Sequence, residues 1–192
     1  MENALYVSLS RQVVLQSQMD MVANNVANVA TPGYRAQNLL FNEFVTDPKG
    51  QKAPYSMVYD YGYYTSTTPG TMQSTGSPLD IGLQGPGFFE IATPQGARYT
   101  RGGSFTLNAI GEIVTPSGDK LSAGGGSGVT VPPGSKEIMI DEKGNVSTEI
   151  GVVGKISVVE FANTDQLVRE GSGLYRAPAN ATPTPAATTK TM

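Results

Sequence analysis

The sequence predicts a mainly β fold with a long N-terminal α-helix, in which a β domain of short antiparallel hairpins follows a helical, coiled-coil-type arm. Three observations predict it. Met1, Leu5, Leu9, Gln12, Leu15, Met19, Val22, Val26 and Val29 succeed one another at steps of three and four residues, the spacing of a helix seam that packs along a partner helix. Only Gln12 interrupts that stripe. From Ala36 onward the apolar residues come instead in short runs, several of them alternating, separated by Gly, Pro, Asn and Asp. Between the two regimes stands Thr31-Pro32-Gly33-Tyr34: Pro32 biases Thr31 away from helical angles, and Pro-Gly suits a type II turn with Gly33 at positive φ. One long helix is therefore expected to end near Ala30.

The chain divides on this reading into a helix and turn (1–35), an extended Tyr-rich connecting and packing segment (36–77), a β domain (78–176) and an Ala/Thr/Pro-rich tail (177–192). A helix over residues 1–30 would be roughly 45 Å long at ~1.5 Å per residue. Its few charges are Glu2, Arg11 and Asp20, and Ser, Gln, Asn and small apolar residues make up most of its other faces. Such a mixed surface suits a helix surrounded by other protein; the alternative is a helix folded back on its own β domain.

Composition removes whole classes of chemistry. With 192 residues, no Cys and no His, the chain has no thiolate nucleophile, imidazole base, disulfide or Cys/His metal site, and no cofactor site is expected. A net charge of −3 without a Lys/Arg cluster argues against nucleic acid. Glu2, Ser8, Ser10, Arg11, Gln12 and Gln16 rule out a Sec signal or a membrane span at the N-terminus, and no other stretch is apolar enough for membrane insertion.

In the second segment an apolar cluster at Leu39, Leu40, Phe41, Phe44 and Val45 precedes a turn at Asp47-Pro48-Lys49-Gly50. Tyr55, Tyr59, Tyr61 and Tyr63 then share odd numbers and would line one face of a strand. That ladder is read as a protein interface, because no basic residues flank it as a nucleic-acid groove requires.

The β domain opens with Pro78 to Ile91, whose Gly85 and Gly87 are expected at a bulge or tight turn, since no Lys-Ser/Thr follows them and a strand comes next. Hairpins are expected at 88–92 with 97–101 and at 104–108 with 112–115, one face of each buried through Phe89/Ile91 and Phe105/Leu107. Another strand starts at Lys120, Ala123 to Gly128 is a turn, and Glu137 to Ile140 and Val146 to Ile150 flank Asp141-Glu142-Lys143-Gly144-Asn145. That acidic loop is read as a hairpin turn, because it lacks the alternating carboxylates of a calcium site. Val152 to Phe161 reads as one buried strand and Leu174 to Arg176 as the last; the tail has no apolar repeat.

Three stretches together carry a resemblance. Ala23-Asn24-Asn25-Val26-Ala27-Asn28-Val29-Ala30-Thr31-Pro32-Gly33-Tyr34-Arg35 resembles the N-terminal signature of the bacterial flagellar rod and hook (axial) proteins. Leu79-Asp80-Ile81-Gly82-Leu83-Gln84-Gly85-Pro86-Gly87-Phe88-Phe89 is similar to the run that begins their β domain. Tyr99-Thr100-Arg101-Gly102-Gly103-Ser104-Phe105 matches a third element, with Gly102 where the family usually has Asp or Asn. Beside this, Asn24, Asn25 and Asn28 offer amides over one turn of helix, either to bond neighbours in an assembly or merely to cap a fraying end.

The resemblance, strongest to the proximal-rod members, implies a structural subunit of the basal-body rod. Its partners would be neighbouring proximal and distal rod proteins, with the flagellar type III export apparatus during secretion; its location, the rod within the cell envelope, reached without a cleaved signal. It implies no enzyme and no small-molecule substrate. These proteins close with a second long helix, absent here, so the sequence is expected to be a fragment or to have its seam buried by other subunits. Two other classes stand beside it: a glycoside hydrolase using carboxylates such as Asp80, Glu90 and Glu112, and a glycan-binding β module using the Tyr ladder.

Overall fold

A computed structural model describes residues 2–46, 55–68, 70–124, 126–135, 137–186 and 190–191. They fall into two units: residues 1–31 with 35–66, and residues 32–34 with 67–192.

The first unit is a helix with a β ribbon. Helix α1 (Glu2–Ala27) contains no Gly or Pro over 26 residues. It ends three residues before the expected Ala30, because past Ala27 the bonding tightens: Val29 N–H donates to Val26 O at 3.2 Å and Thr31 N–H to Asn28 O at 3.0 Å. The Asn28 side chain reinforces that stop by donating to Asn24 O at 2.8 Å. Strands β1 (Gln37–Thr46) and β2 (Tyr55–Thr65) pair antiparallel, so the apolar cluster at Leu39–Val45 is itself a strand. The turn expected at Asp47–Gly50 lies outside the described residues.

The Tyr ladder needs correction. Leu40 pairs with Gly62 but Phe41 with Asp60, which leaves Tyr61 as an inserted bulge residue. Tyr59 pairs with Asn42 and Tyr63 with Leu39, positions of opposite parity on β1, so odd numbering does not keep one phase along β2. The side chains of Tyr55, Tyr59 and Tyr61 lie outside the described residues; Tyr63 and its neighbour Tyr64 are both exposed.

The second unit is the β domain. Its first strands are β3 (Leu83–Gln84), β4 (Phe88–Thr93), β5 (Gly96–Thr100), β6 (Thr106–Leu107), β7 (Ile113–Val114) and β8 (Lys120–Leu121). After them come β9 (Ile138–Ile140), β10 (Asn145–Thr148), β11 (Gly151–Lys155), β12 (Val158–Glu160), β13 (Val168–Arg169), β14 (Leu174–Arg176), β15 (Thr184–Pro185) and β16 (Lys190–Thr191). The main sheet runs β13-β14-β5-β4-β8-β7-β6, with β12 against β4 and β15 against β12. A smaller sheet is ordered β11-β10-β9, and β16 pairs with β3.

Adjacent Phe88 and Phe89 on β4 serve two cores, one on each side of the sheet. Phe89 and Ile91 pack with Phe105, Ile113, Leu121, Val129, Val146 and Ile156. Phe88 packs with Tyr99, Val159, Phe161, Leu167 and Tyr175, where Tyr99 and Phe161 meet edge-to-face at 4.8 Å between ring centroids.

Both expected hairpins form, with Thr93 opposite Gly96 and Thr106 opposite Val114. The second buries Phe105 but leaves Leu107 exposed, because its first strand, β6, is two residues long and lies at the sheet edge. The acidic loop is a hairpin turn: Asp141 Oδ1 accepts from the N–H groups of Lys143 and Asn145, and Gly144 takes φ +77°.

One expectation about the strands fails. The span Val152–Phe161 is not one buried strand but β11 and β12 in different sheets. Between them Ile156 N–H donates to Gly144 O and Ser157 N–H to Ser122 O, so the backbone changes partners while Ile156 drives into the core and Val152 stays exposed. The tail, which has no apolar repeat, still pairs with the β domain: Val159 pairs with Pro185 and Lys190 with Gln84. Backbone pairing needs no apolar repeat, which is why periodicity missed it.

Candidate functional site

Helix α1 has two faces of opposite fate. Val7, Ser10, Val14, Ser17, Met21, Asn25 and Asn28 recur at steps of three and four and are the positions the structure partly or wholly covers, Val14 most of all at 9 % exposed. The contacts of α1 within its unit are to β2 and, less, to β1. On the rest of the helix surface, Leu5, Leu9, Leu15, Met19, Val22, Val26 and Val29 are all exposed, from 55 % at Leu9 and Val22 to 82 % at Val29. The small and polar face meets the chain's own ribbon, and the oily face does not. The helix thus folds back on the ribbon of its own connecting segment and not on the β domain, and its apolar stripe stays exposed. Covering the small face was legible only as a weaker second stripe at Val7, Val14 and Met21, one residue in seven.

The motif around the end of α1 holds its own unit together. Asn25 Nδ2 donates to Gln37 O at 2.8 Å while Gln37 N–H donates to Asn25 Oδ1 at 3.1 Å. This amide imitates a neighbouring strand at the start of β1. Asn28 caps the helix end through Asn24. Asn25 and Asn28 thus act within the chain, and Asn28 follows the capping reading. Ala23 is exposed and Arg35 is buried.

Residues 32–34 belong to the β unit, and there the three motifs meet. Gly33 takes φ +71°, as the turn requires, and a Cβ on it would lie 2.3 Å from the carbonyl carbon and oxygen of Arg101. The Tyr34 ring lies 5.1 Å below the Arg169 guanidinium. Arg101 Nη2 donates to Gly85 O at 2.7 Å, and its Nη1 to Gly87 O, so this side chain holds the loop between the two glycines. Gly103 admits the backbone of Ile81: Ile81 N–H donates to Gly103 O at 2.8 Å, and a Cβ there would stand 1.7 Å from Ile81 O. Asp80 Oδ1 accepts from Ser104 Oγ at 3.0 Å and its Oδ2 from Thr75 Oγ1 at 2.7 Å. The part played by Arg101 was not visible in the sequence, because nothing local shows which carbonyls a guanidinium will reach.

The carboxylates proposed for acid-base chemistry are occupied by structural bonds. Asp80 holds Ser104, Glu90 accepts from Ser157 Oγ at 2.6 Å, and Glu112 bonds Lys120 and Asn108. Those bonds to Lys120 and Asn108 hold the Glu112 carboxyl below its ordinary range, as suits an ion-pair anchor and not a general acid. Among the described residues no His/Cys/Asp/Glu group is placed to hold a metal ion. No helix among them is long and apolar enough to cross a membrane.

A family model for the flagella basal body rod protein matches residues 5–35, and one for the flagellar hook protein FlgE/F/G D1 domain matches residues 82–148. The flagellar basal-body rod protein FlgF of Caulobacter vibrioides is 36 % identical over 96 % of this chain and 77 % of its own length. This chain belongs to the flagellar basal-body rod protein family. FlgF of Mesorhizobium japonicum is 34 % identical over 90 % of the chain and 70 % of its own length, and FlgG of Bacillus subtilis 32 % over 94 % and 75 %. The chain is a FlgF-like structural subunit of the basal-body rod, and it associates with other basal-body components. In this rod protein one family match covers the helix with its turn and the other the core of the β domain, while Gly33, Arg101 and Gly103 pack together within the β unit.

Proposed function

We propose that the oily face of α1 is the surface through which this rod subunit packs with its neighbours into a torque-transmitting helical tube, while the Tyr-bearing ribbon and the β domain make lateral contacts. One observation carries the reading: seven apolar side chains in line stay exposed while the opposite face is spent on the chain's own ribbon. Each would contribute about 1.5–3 kcal/mol when fully buried, and a heterologous, non-closing interface turns such contacts into a filament. The part of the subunit is mechanical and not catalytic, with no cofactor, nucleic acid or small-molecule substrate. It leaves the cytoplasm through the flagellar type III export apparatus without a cleaved signal and takes its place in the rod across the periplasm.

The experiment replaces Val22 and Val26 together by Asp in the full chain. Both side chains point away from the ribbon, so the purified protein is expected to keep its circular dichroism while cells lose rods and stop swimming. Normal motility in that strain would end the reading.

A further inference from the structure

On its β12 side the main sheet is finished by the tail, and the register of that pairing decides which main-chain groups face out. Val159 on β12 pairs with Phe88 on one side and with Pro185 on the other. Ala186 N–H donates to Val158 O at 2.9 Å, and Thr184 lies opposite Glu160, whose carbonyl also accepts from Thr184 Oγ1 at 3.2 Å. Along an antiparallel strand the main-chain groups point alternately to its two sides. Residues 184 and 186 therefore face β12, and residues 183 and 185 face away from it. Both of the latter are proline.

Proline has no N–H to offer, and its ring fills the space from which a neighbouring carbonyl would approach. The preceding outward position is Ala181, whose N–H is already donated to Pro178 O at 2.9 Å in a turn. At 181, 183 and 185 no main-chain N–H is thus left for a further strand, although Pro183, Thr184 and Pro185 are exposed to water. Composition alone does not produce this arrangement, since a Pro-rich linker places its prolines without regard to a partner's register. A shift of one residue would turn the prolines towards β12 and leave the Val158 and Glu160 carbonyls without main-chain donors from the tail. The tail is also anchored by its side chains, because Ala177 and Ala181 pack against the core of Phe88, Tyr99 and Phe161.

We infer that residues 177–186 are a strap that closes the main sheet, in which Pro183 and Pro185 keep a second copy of this chain from adding a strand at β15. An exposed strand edge is a template for pairing with another chain, and proline on the edge is one way to blunt it. A rod subunit works packed against other proteins, where an open edge would compete with its proper contacts. This role is independent of what covers α1.

The test replaces Pro183 and Pro185 together by Thr in the full chain. Threonine suits a strand and adds little apolar surface. Both positions are exposed, so circular dichroism is expected to stay unchanged. In sedimentation the variant should self-associate at about ten-fold lower concentration than the parent, as two restored donors allow. The new amides at 183 and 185 should become protected from deuterium exchange as concentration rises. Parent and variant carry the same α1 stripe, so the difference between them belongs to the edge. Pro183→Thr and Pro185→Thr alone restore one donor each and should fall between; they carry the test if the double variant loses its fold. Sedimentation equal to the parent's, or association in which the amides at 183 and 185 still exchange freely, would overturn the role of the two prolines.

Discussion

The side-chain amide of Asn25 closes a two-bond ring on the backbone of Gln37, at 2.8 and 3.1 Å, and so ties the last turn of α1 to the first residue of β1. One residue thereby satisfies both main-chain groups where a strand begins with no strand beside it on that edge. Replacing Asn25 by Leu leaves these part-buried groups unpaired and is expected to destabilise the helix and ribbon by about 1–3 kcal/mol. The Gln37 amide should then exchange with deuterium far faster while Phe89 and Leu121 in the β core keep their protection. Asn25→Asp retains the acceptor but not the donor and should fall between.

Glycines in the shared motifs separate by geometry. Gly33→Ala and Gly103→Ala each place a Cβ inside a neighbour's backbone, at 2.3 Å and 1.7 Å, and should destabilise the β unit by more than about 2 kcal/mol in urea titrations. Gly102 is different: it has no positive φ, and a Cβ would meet Thr100 Oγ1 at 3.4 Å and Pro32 O at 3.7 Å, ordinary contacts. Gly102→Asp should therefore change stability by less than about 1 kcal/mol. The backbone geometry thus leaves room for a side chain at Gly102 and none at its neighbour Gly103.

Arg101 is expected to resist even conservative change. Lysine cannot span Gly85 O and Gly87 O with one planar group, and Arg101→Lys should lose about 1.5–3 kcal/mol, the range for hydrogen bonds from a charged donor. Faster amide exchange confined to residues 84–88 would show that the loop, and not the whole sheet, is what loosens.

Acid should weaken the β unit at Glu170. Bonds from Arg98 at 2.6 Å and Arg176 at 2.9 Å hold its carboxyl below the ordinary value. A carboxyl whose folded pKa is depressed adds stability that is present above its unfolded pKa, near 4.3, and is lost as pH falls through the lower folded value. Melting temperature followed from pH 7 to pH 3 should thus fall less steeply in Glu170→Gln than in the parent. Equal slopes would show that the two arginines gain nothing from the charge.

What could be read in advance follows from where the determinants lie. The stripe from Leu5 to Val29, the turn at Gly33 and the hairpin at Thr93–Gly96 rest on local spacing and backbone angles, which a linear sequence displays. The bulge at Tyr61, the division of Val152–Phe161 between two sheets and the return of Lys190 to Gln84 depend on which distant strand offers a free edge. No periodicity encodes that choice. The same holds for the helix: its stripe is legible as a spacing, but only coordinates show that Val14 and Asn25 serve the chain's own ribbon while Met19 and Val22 stay exposed.

The most direct measurement is hydroxyl-radical footprinting of the purified chain and of the same protein in isolated basal bodies, read by mass spectrometry. In the free chain Leu5, Leu15, Met19, Val22 and Val26, each normalised to the intrinsic reactivity of its side chain, should be protected no more than exposed Met72. On assembly they should fall to the level of buried Ile113 and Leu121. Equal oxidation of these five side chains in both states would contradict the claim that neighbouring subunits cover the helix.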